Sequence, residues 1–410
     1  MIQMNRLRAG LLAAALVLVL VPALEPAPAL AQSKGEAVRP EVGNPLQAAQ
    51  KLTQSGRHRE ALAKISEAEA VGNKTAYETY LIQRMRGSVA AAAGDNDTAI
   101  RSFEAVIASG RVSGAEQLKM IQAVAGMHYR AKDYAKAASW AARYQKEGGS
   151  DPAMRTLLVQ AYYLNNDCNA VGKLLNGGDT GRRPAEEELQ ILANCYLRQK
   201  DNGGYVATIE KLVTYYPKKD YWVDLLNRVQ KKPGFSDRLA LDVYRLKLAT
   251  GNLTGTNDYM EMAQLAIQAG YPAEAKAIVD KGFANGALGA GKEGERHQRL
   301  KDLAYKQADA AQKARAQAEK DALASGQGGD LVSVGYNYVT EGLAAKGIGL
   351  MEQGIKKGGL KRPEDAKLLL GVAQVTGGQK SRGLQTLRSV HGTDGAADLA
   401  RLWSLHAQRS

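Results

Sequence analysis

The sequence predicts an all-α chain, an α-solenoid of stacked helix-turn-helix units, and three observations carry that expectation. Seven anchor positions, most of them small, recur at Ala61, Ala99, Ala137, Val171, Tyr205, Ala240 and Ala275, with steps of 38, 38, 34, 34, 35 and 35 residues. A period near 34 belongs to helix pairs that cannot bury their apolar faces alone and must stack to do so. Each anchor follows a turn and is followed by apolar residues three to four positions apart, the spacing of one helix face. Sustained period-two alternation of β-branched residues, the mark of a strand, is missing, and Pro is scarce at 11 residues in 410. Function is therefore expected on a surface rather than in a catalytic pocket.

Along the chain, the first element is a leader. Arg6 and Arg8 precede the apolar run from Leu11 to Val21, and Ala29-Leu30-Ala31 before Gln32 has the small-x-small pattern of a secretory cleavage site. The run falls short of the roughly 20 apolar residues a membrane span needs. Residues 1–31 are read as a signal peptide, with an uncleaved anchor as the alternative; no Cys follows the cut to suggest a lipoprotein. The mature chain is expected to be exported, periplasmic or secreted, with membrane contact only through an uncleaved signal. Residues 32–44, rich in Gly, Pro and charge, are expected to be a flexible lead-in.

Residues 45–285 form the main array of about seven helix pairs. Gly56-Arg57-His58-Arg59-Glu60-Ala61, Gly94-Asp95-Asn96-Asp97-Thr98-Ala99 and Lys132-Asp133-Tyr134-Ala135-Lys136-Ala137 are three versions of one signal. Gly tolerates the left-handed conformation that ends a first helix, Asp caps the next, and the small anchor lets two helices approach. In the second unit Gly87, Gly94, Asp95, Ala99 and Phe103, and in the fifth Leu192, Ala193, Tyr196, Asp201 and Pro217, fall in one register. On these residues the chain resembles the tetratricopeptide repeat (TPR) family. The fourth unit departs from the pattern with Asn166-Asp167-Cys168, and the sixth with Lys232-Pro233-Gly234-Phe235-Ser236. The resemblance covers roughly residues 45–285 and 330–391, and it implies a right-handed solenoid whose first helices line a concave face.

Residues 286–329 interrupt the array with a glycine-rich loop and a long Ala, Gln and Lys-rich helix of high propensity. Leu300, Leu303, Gln307, Ala310, Ala314 and Ala318 make a thin stripe on it, read as packing against neighbours, with a projecting arm as the alternative. The loop contains Gly289-Ala290-Gly291-Lys292-Glu293-Gly294, a dinucleotide-type glycine pattern. That chemistry requires a strand feeding the loop, whereas a helix precedes this one, so the pattern is read as an inter-helix loop. Two further pairs fill 330–391 around Gly342 to Gly347 and Gly378 to Gly383, and Asp394 to Gln408 is expected to be an amphipathic helix capping the stack in water.

The net charge of +13 becomes +12 once Arg6, Arg8 and Glu25 leave with the signal. Such an excess favours acidic partners, and an anionic surface is among them. The basic residues lie in pairs near loops, Arg182-Arg183, Lys218-Lys219, Lys231-Lys232, Lys356-Lys357 and Lys361-Arg362, a pattern of solvated loop charge. No aromatic-basic recognition motif appears, so nucleic acid is not expected as a partner. His58, His128, His297, His391 and His406 stand apart from one another, and no metal, cofactor or catalytic set is expected. Glu186-Glu187-Glu188 beside Pro184 complement a helix start.

Carrying the register of the resemblance across places candidate partner contacts on first helices: Lys119, Gln122, Tyr129 and Arg130, then Gln160 and Tyr163, then Gln190, Asn194 and Arg198. This mixture suits extended-peptide recognition, with ordinary surface solvation as the alternative. Consecutive helices in such a stack run antiparallel, so Cys168 at the start of one and Cys195 near the end of the next are expected to meet as a disulfide. Two small buried thiols remain the alternative. The resulting expectation is a noncatalytic exported scaffold for a peptide or protein of the cell envelope; the alternative is an enzyme or accessory subunit of a cell-envelope or exopolysaccharide system.

Overall fold

The computed structural model describes residues 36–177 and 182–409; the signal peptide assigned to 1–31 and the start of the lead-in lie outside the described residues. Among them are twenty α-helices and no strand. Two compact units divide the chain between Thr208 and Ile209.

In the N-terminal unit the helices run α1 (Pro40–Gln54), α2 (His58–Ala70), α3 (Ala76–Ala93), α4 (Asn96–Ala108), α5 (Gly114–Arg130), α6 (Tyr134–Lys146), α7 (Pro152–Leu164), α8 (Cys168–Gly177) and α9 (Glu186–Arg198). The division falls inside α10 (Asn202–Tyr215). Odd-numbered first helices pack on even-numbered second helices, each second helix packs on the next first helix, and first helices touch one another at α1–α3, α5–α7 and α7–α9. The lead-in expected to be flexible up to residue 44 is shorter than that. Pro40, whose missing N–H costs nothing at a helix start, opens α1, and Val42 and Leu46 bury its inner face.

The periodic anchors have one structural meaning. Ala61, Ala99, Ala137 and Val171 are each the fourth residue of a second helix, and each is fully buried. Short acidic caps set the start of these helices: Asp95 Oδ1 accepts from Thr98 N at 3.1 Å, Asp133 Oδ1 from Lys136 N at 3.2 Å and Asp167 Oδ1 from Ala170 N at 2.9 Å. Thr75 and Glu78 form a reciprocal capping box at α3, and the buried Glu78 carboxylate also receives Arg39 Nε and Nη2, both at 2.9 Å. That pairing ties α1 to α3.

The C-terminal unit holds α11 (Lys219–Gln230), a 3-10 turn (Asp237–Leu239), α12 (Ala240–Ala249), α13 (Thr256–Gln268), α14 (Pro272–Ala284) and the long α15 (Gly294–Ala324). Then come α16 (Gly328–Thr340), α17 (Ala344–Lys357), α18 (Pro363–Thr376), α19 (Lys380–Arg388) and α20 (Ala396–Ala407). Counting from the 3-10 turn, Ala240 keeps the anchor's fourth place, so Lys232-Pro233-Gly234 disturbs the turn without losing the register. Gly347 and Gly383 hold the same place in α17 and α19. A Cβ on Gly347 would overlap the Gly335 carbonyl oxygen, so α16 and α17 are in backbone contact.

Two expectations are corrected here. On α15 the buried residues are His297, Leu300, Ala304 and Ala322, whereas Leu303, Ala310, Ala314 and Ala318 of the expected stripe are exposed. An Ala-rich helix offers two nearly equivalent small faces, and the one bearing Arg315 and Glu319, which pair with Glu341 and Lys346, is the one that docks. Helix α20 is also no end cap in water. It packs on α18 and α19 and at the same time on α12, much earlier in the same unit. Leu399, Leu402 and Trp403 are buried there, Ser236 N donates to Asp394 O at 2.9 Å, Lys232 pairs with Asp398 at 2.7 Å, and Arg401 pairs with Glu210 at 2.9 Å.

Candidate functional site

The candidate contacts lie on three adjacent first helices of the N-terminal unit, α5, α7 and α9. Burial first, then the charges of Tyr134 and of Glu187 on α9, push the Tyr129 phenol on α5 up to about 12. The amides on this face are spent within the fold. Gln122 Nε2 donates to Asp151 Oδ2 at 2.9 Å at the head of α7, and Gln160 Nε2 donates to Glu187 Oε1 at 2.7 Å at the head of α9. Asn194 Nδ2 donates to Gln190 O at 2.9 Å. Gln160 is itself buried, so it joins helices rather than meeting a partner.

What remains outward is cationic and aromatic. Lys119 and Arg130 are exposed. Arg198 stacks its guanidinium 4.0 Å over the ring of half-buried Tyr163 and donates to Asn166 Oδ1 at 3.2 Å. Tyr129 meets Tyr134 edge-on at 5.6 Å. Such preorganised rings and guanidinium groups offer rigid contact area at low entropic cost.

Cys168 and Cys195 are bonded, with Cα atoms 5.2 Å apart, joining the head of α8 to the last turns of α9. The disulfide forms the floor of an open groove of about 530 Å³ lined by Asn169, Lys173, Asn176, Tyr196 and Gln199. Its polar groups partly satisfy one another: Asn176 Nδ2 donates to Tyr196 Oη at 2.8 Å and Gln199 Nε2 to Asn169 Oδ1 at 3.0 Å.

A polar cluster in the C-terminal unit escaped the sequence reading. Arg245 on α12 is only 6% exposed, yet it makes two bonds to Glu274 on α14, at 2.8 and 2.6 Å, and one to Asp242 at 2.8 Å. The rings of Tyr336 and Tyr271 lie 4.6 and 5.2 Å from its guanidinium, and Tyr336 Oη donates to Glu274 Oε1 at 3.2 Å. Burial pushes the Asp242 carboxyl up, against the pull of Arg245. Nearby, Arg238 is bidentate to Asp365 at 2.7 and 2.9 Å and also bonds Asp394. The only sequence trace of this cluster was Asp242 three positions before Arg245 on one helix.

The glycine-rich loop is an inter-helix connection: Gly286, Gly289 and Gly291 adopt positive φ after α14, and Gly289 N donates to His297 Nδ1 at 3.1 Å. Among the described residues no group of three or more His, Cys, Asp or Glu could hold a metal, and no helix is long and apolar enough to cross a membrane.

These helix pairs define the class: an all-α helical-repeat protein. No protein-family model matches the sequence, and no curated protein matches it. Among solved structures, one of Naa15/Naa10 bound to HypK-THB is similar at 14% identity and a TM-score of 0.31, over 88% of this chain and 65% of that one. The chain thus spans slightly less than two thirds of that relative's length. Yeast Tom70 is similar at 10% identity and a TM-score of 0.26, over 90% of this chain and 95% of that one.

Proposed function

We propose that this TPR-like repeat protein is a noncatalytic scaffold that binds an extended polypeptide across the first helices α5, α7 and α9. One observation carries the reading. Once the amides Gln122, Gln160 and Asn194 are satisfied internally, the exposed charged groups among the candidate contacts are Lys119, Arg130, and Arg198 seated on Tyr163. The partner is a protein or peptide of the cell envelope, and the chain is exported. The Ala29-Leu30-Ala31 cleavage pattern supports this, as does the Cys168–Cys195 bond, a type that persists in oxidising compartments.

The test is site-specific photo-crosslinking in envelope extract with the crosslinker at Gln190, on the same helix as Arg198, comparing the native face with the combined Lys119→Ala, Tyr163→Ala and Arg198→Ala variant. One discrete crosslinked partner, lost in the variant at unchanged Tm, is the expected result. Equal capture by both sends the binding surface elsewhere.

A further inference from the structure

In eight of the repeats the residue two places before the second helix has positive φ: Gly56, Gly94, Lys132, Asn166, Lys200, Gly270, Gly342 and Gly378. The turn is built the same way each time. The next amide reaches back to the carbonyl five residues earlier, as in Asp95 N to Ala90 O, Asp133 N to His128 O and Asp201 N to Tyr196 O, all at 2.9 Å. Glycine is the natural occupant, because any other side chain there is strained, and Asn is the tolerated exception. Lysine is neither, and it occurs twice, at φ 63 for Lys132 and φ 57 for Lys200.

Among the described residues, no side-chain bond of either lysine offsets that strain. At the equivalent Gly56, Gly94, Gly270, Gly342 and Gly378, an added Cβ would meet no atom within 4 Å, so a side chain at this place projects into open space. Both lysines are exposed and form no ion pair or side-chain hydrogen bond with the described residues. A strained conformation kept without a packing return points to use outside the fold.

The two lysines stand on one edge of the N-terminal unit with Arg130 and Arg198, which end α5 and α9. Arg198 spans from its own turn to Asn166 in the turn before it. The acids of this edge, Asp133, Asp167 and Asp201, are engaged in capping the helices that follow. Leu197, in the last turn of α9, is 41% exposed beside the cations.

We propose that this turn edge of the third to fifth repeats is a docking edge for an acidic extended polypeptide, held by Lys132 and Lys200 and continued onto the first-helix face by Arg130 and Arg198. An apolar side chain standing among the cations suits a polypeptide, which brings both carboxylates and apolar groups, better than a bare polyanion. Adjacent first helices lie about 8–10 Å apart, so the two turns are separated by roughly 16–20 Å. At about 3.3 Å per residue, an extended chain places acidic side chains on both lysines when they stand about six positions apart, an even spacing that keeps both on one face. The inference rests on the scaffold reading only in taking the partner to be a polypeptide.

The experiment measures fluorescence anisotropy of a labelled twelve-residue peptide, with paired Asp residues six positions apart and Leu between them, on the full chain and on Lys132→Gly/Lys200→Gly. The native chain binds it, and the variant binds at least fivefold more weakly while its Tm holds or rises by a few degrees. Three outcomes overturn the edge: no binding of the acidic peptide, equal affinity for its Asn-substituted twin, or a variant that binds equally well. A falling Tm also overturns it, by showing that the lysines serve the fold. Tighter binding to vesicles with anionic lipid, or to a polyuronate, transfers the edge to those partners and refutes the polypeptide. Binding lost in Lys119→Ala/Tyr163→Ala but kept in the lysine variant refutes the edge and leaves the first-helix reading standing.

Discussion

Replacing Glu274 with Ala tests the least expected feature of the molecule, the buried charge cluster on α12. The substitution removes both bonds at 2.8 and 2.6 Å and leaves the 94%-buried Arg245 guanidinium with Asp242 alone. Removing one partner of a buried pair costs about 3–5 kcal/mol, since the stranded charge keeps its desolvation penalty. For a unit of this size each kcal/mol lowers Tm by about 2–4 °C, so the drop should be about 6–20 °C. Tyr336 Oη loses its acceptor as well, which places the value above the lower bound. Scanning calorimetry of the full chain is the assay, with Asp242→Asn/Arg245→Met/Glu274→Met as the companion. Uncharged groups of similar volume in place of all three charges should restore most of the loss. A Glu274→Ala transition within about 2 °C of the native one, or a triple variant worse than the single, would refute the reasoning that these charges are buried and mutually dependent.

Three further outcomes follow. Replacing Cys168 and Cys195 with Ser should cost about 3.5 kcal/mol, the chain-entropy value for a 27-residue separation, seen as a lower urea midpoint that reductant reproduces in the native chain; an unchanged midpoint would remove the bond from the stability of the N-terminal unit. Arg39, then the Thr75 amide, lower the Glu78 carboxyl to about 2. Its contribution is therefore present above the ordinary value of about 4.5 and lost as pH falls towards 2, and Glu78→Gln should flatten the fall of Tm over that window. Trp403→Ala, emptying the fully buried core of α20, should cost about 3–5 kcal/mol, and a loss below 1 kcal/mol by chemical denaturation would contradict the packing described.

The repeat architecture was legible because sterics impose it locally. The fourth residue of a second helix is buried, and the small Ala61, Ala99 and Ala137 make that place visible in sequence. What two faces of one helix share was not legible. Along α15 alanines and long polar residues recur on every side, so spacing could not tell the docking side from Ala310, Ala314 and Ala318. The amphipathic pattern of α20 correctly marked a buried face but could not reveal that α12, some 150 positions earlier, lies against it. Charge posed the same difficulty. Arg245, Glu274 and Tyr336 look like ordinary surface residues until the helices carrying them are brought together. On the candidate face, the register named residues of α5, α7 and α9, yet Gln122 and Gln160 donate to the next repeat, a distinction only the neighbouring helix supplies.

The return of α20 onto α12 changes how the C-terminal half can come apart. A linear stack can unzip from whichever end frays first, because its outermost repeat has a neighbour on one side only. Here the last helix lies against α12, and the segment leading into α12 is tied to the end of the unit through Arg238 with Asp365 on α18 and with Asp394, Lys232 with Asp398, and Ser236 with Asp394. No repeat between them is outermost, so the helices from α12 to α20 should exchange their protected amides together, in one step.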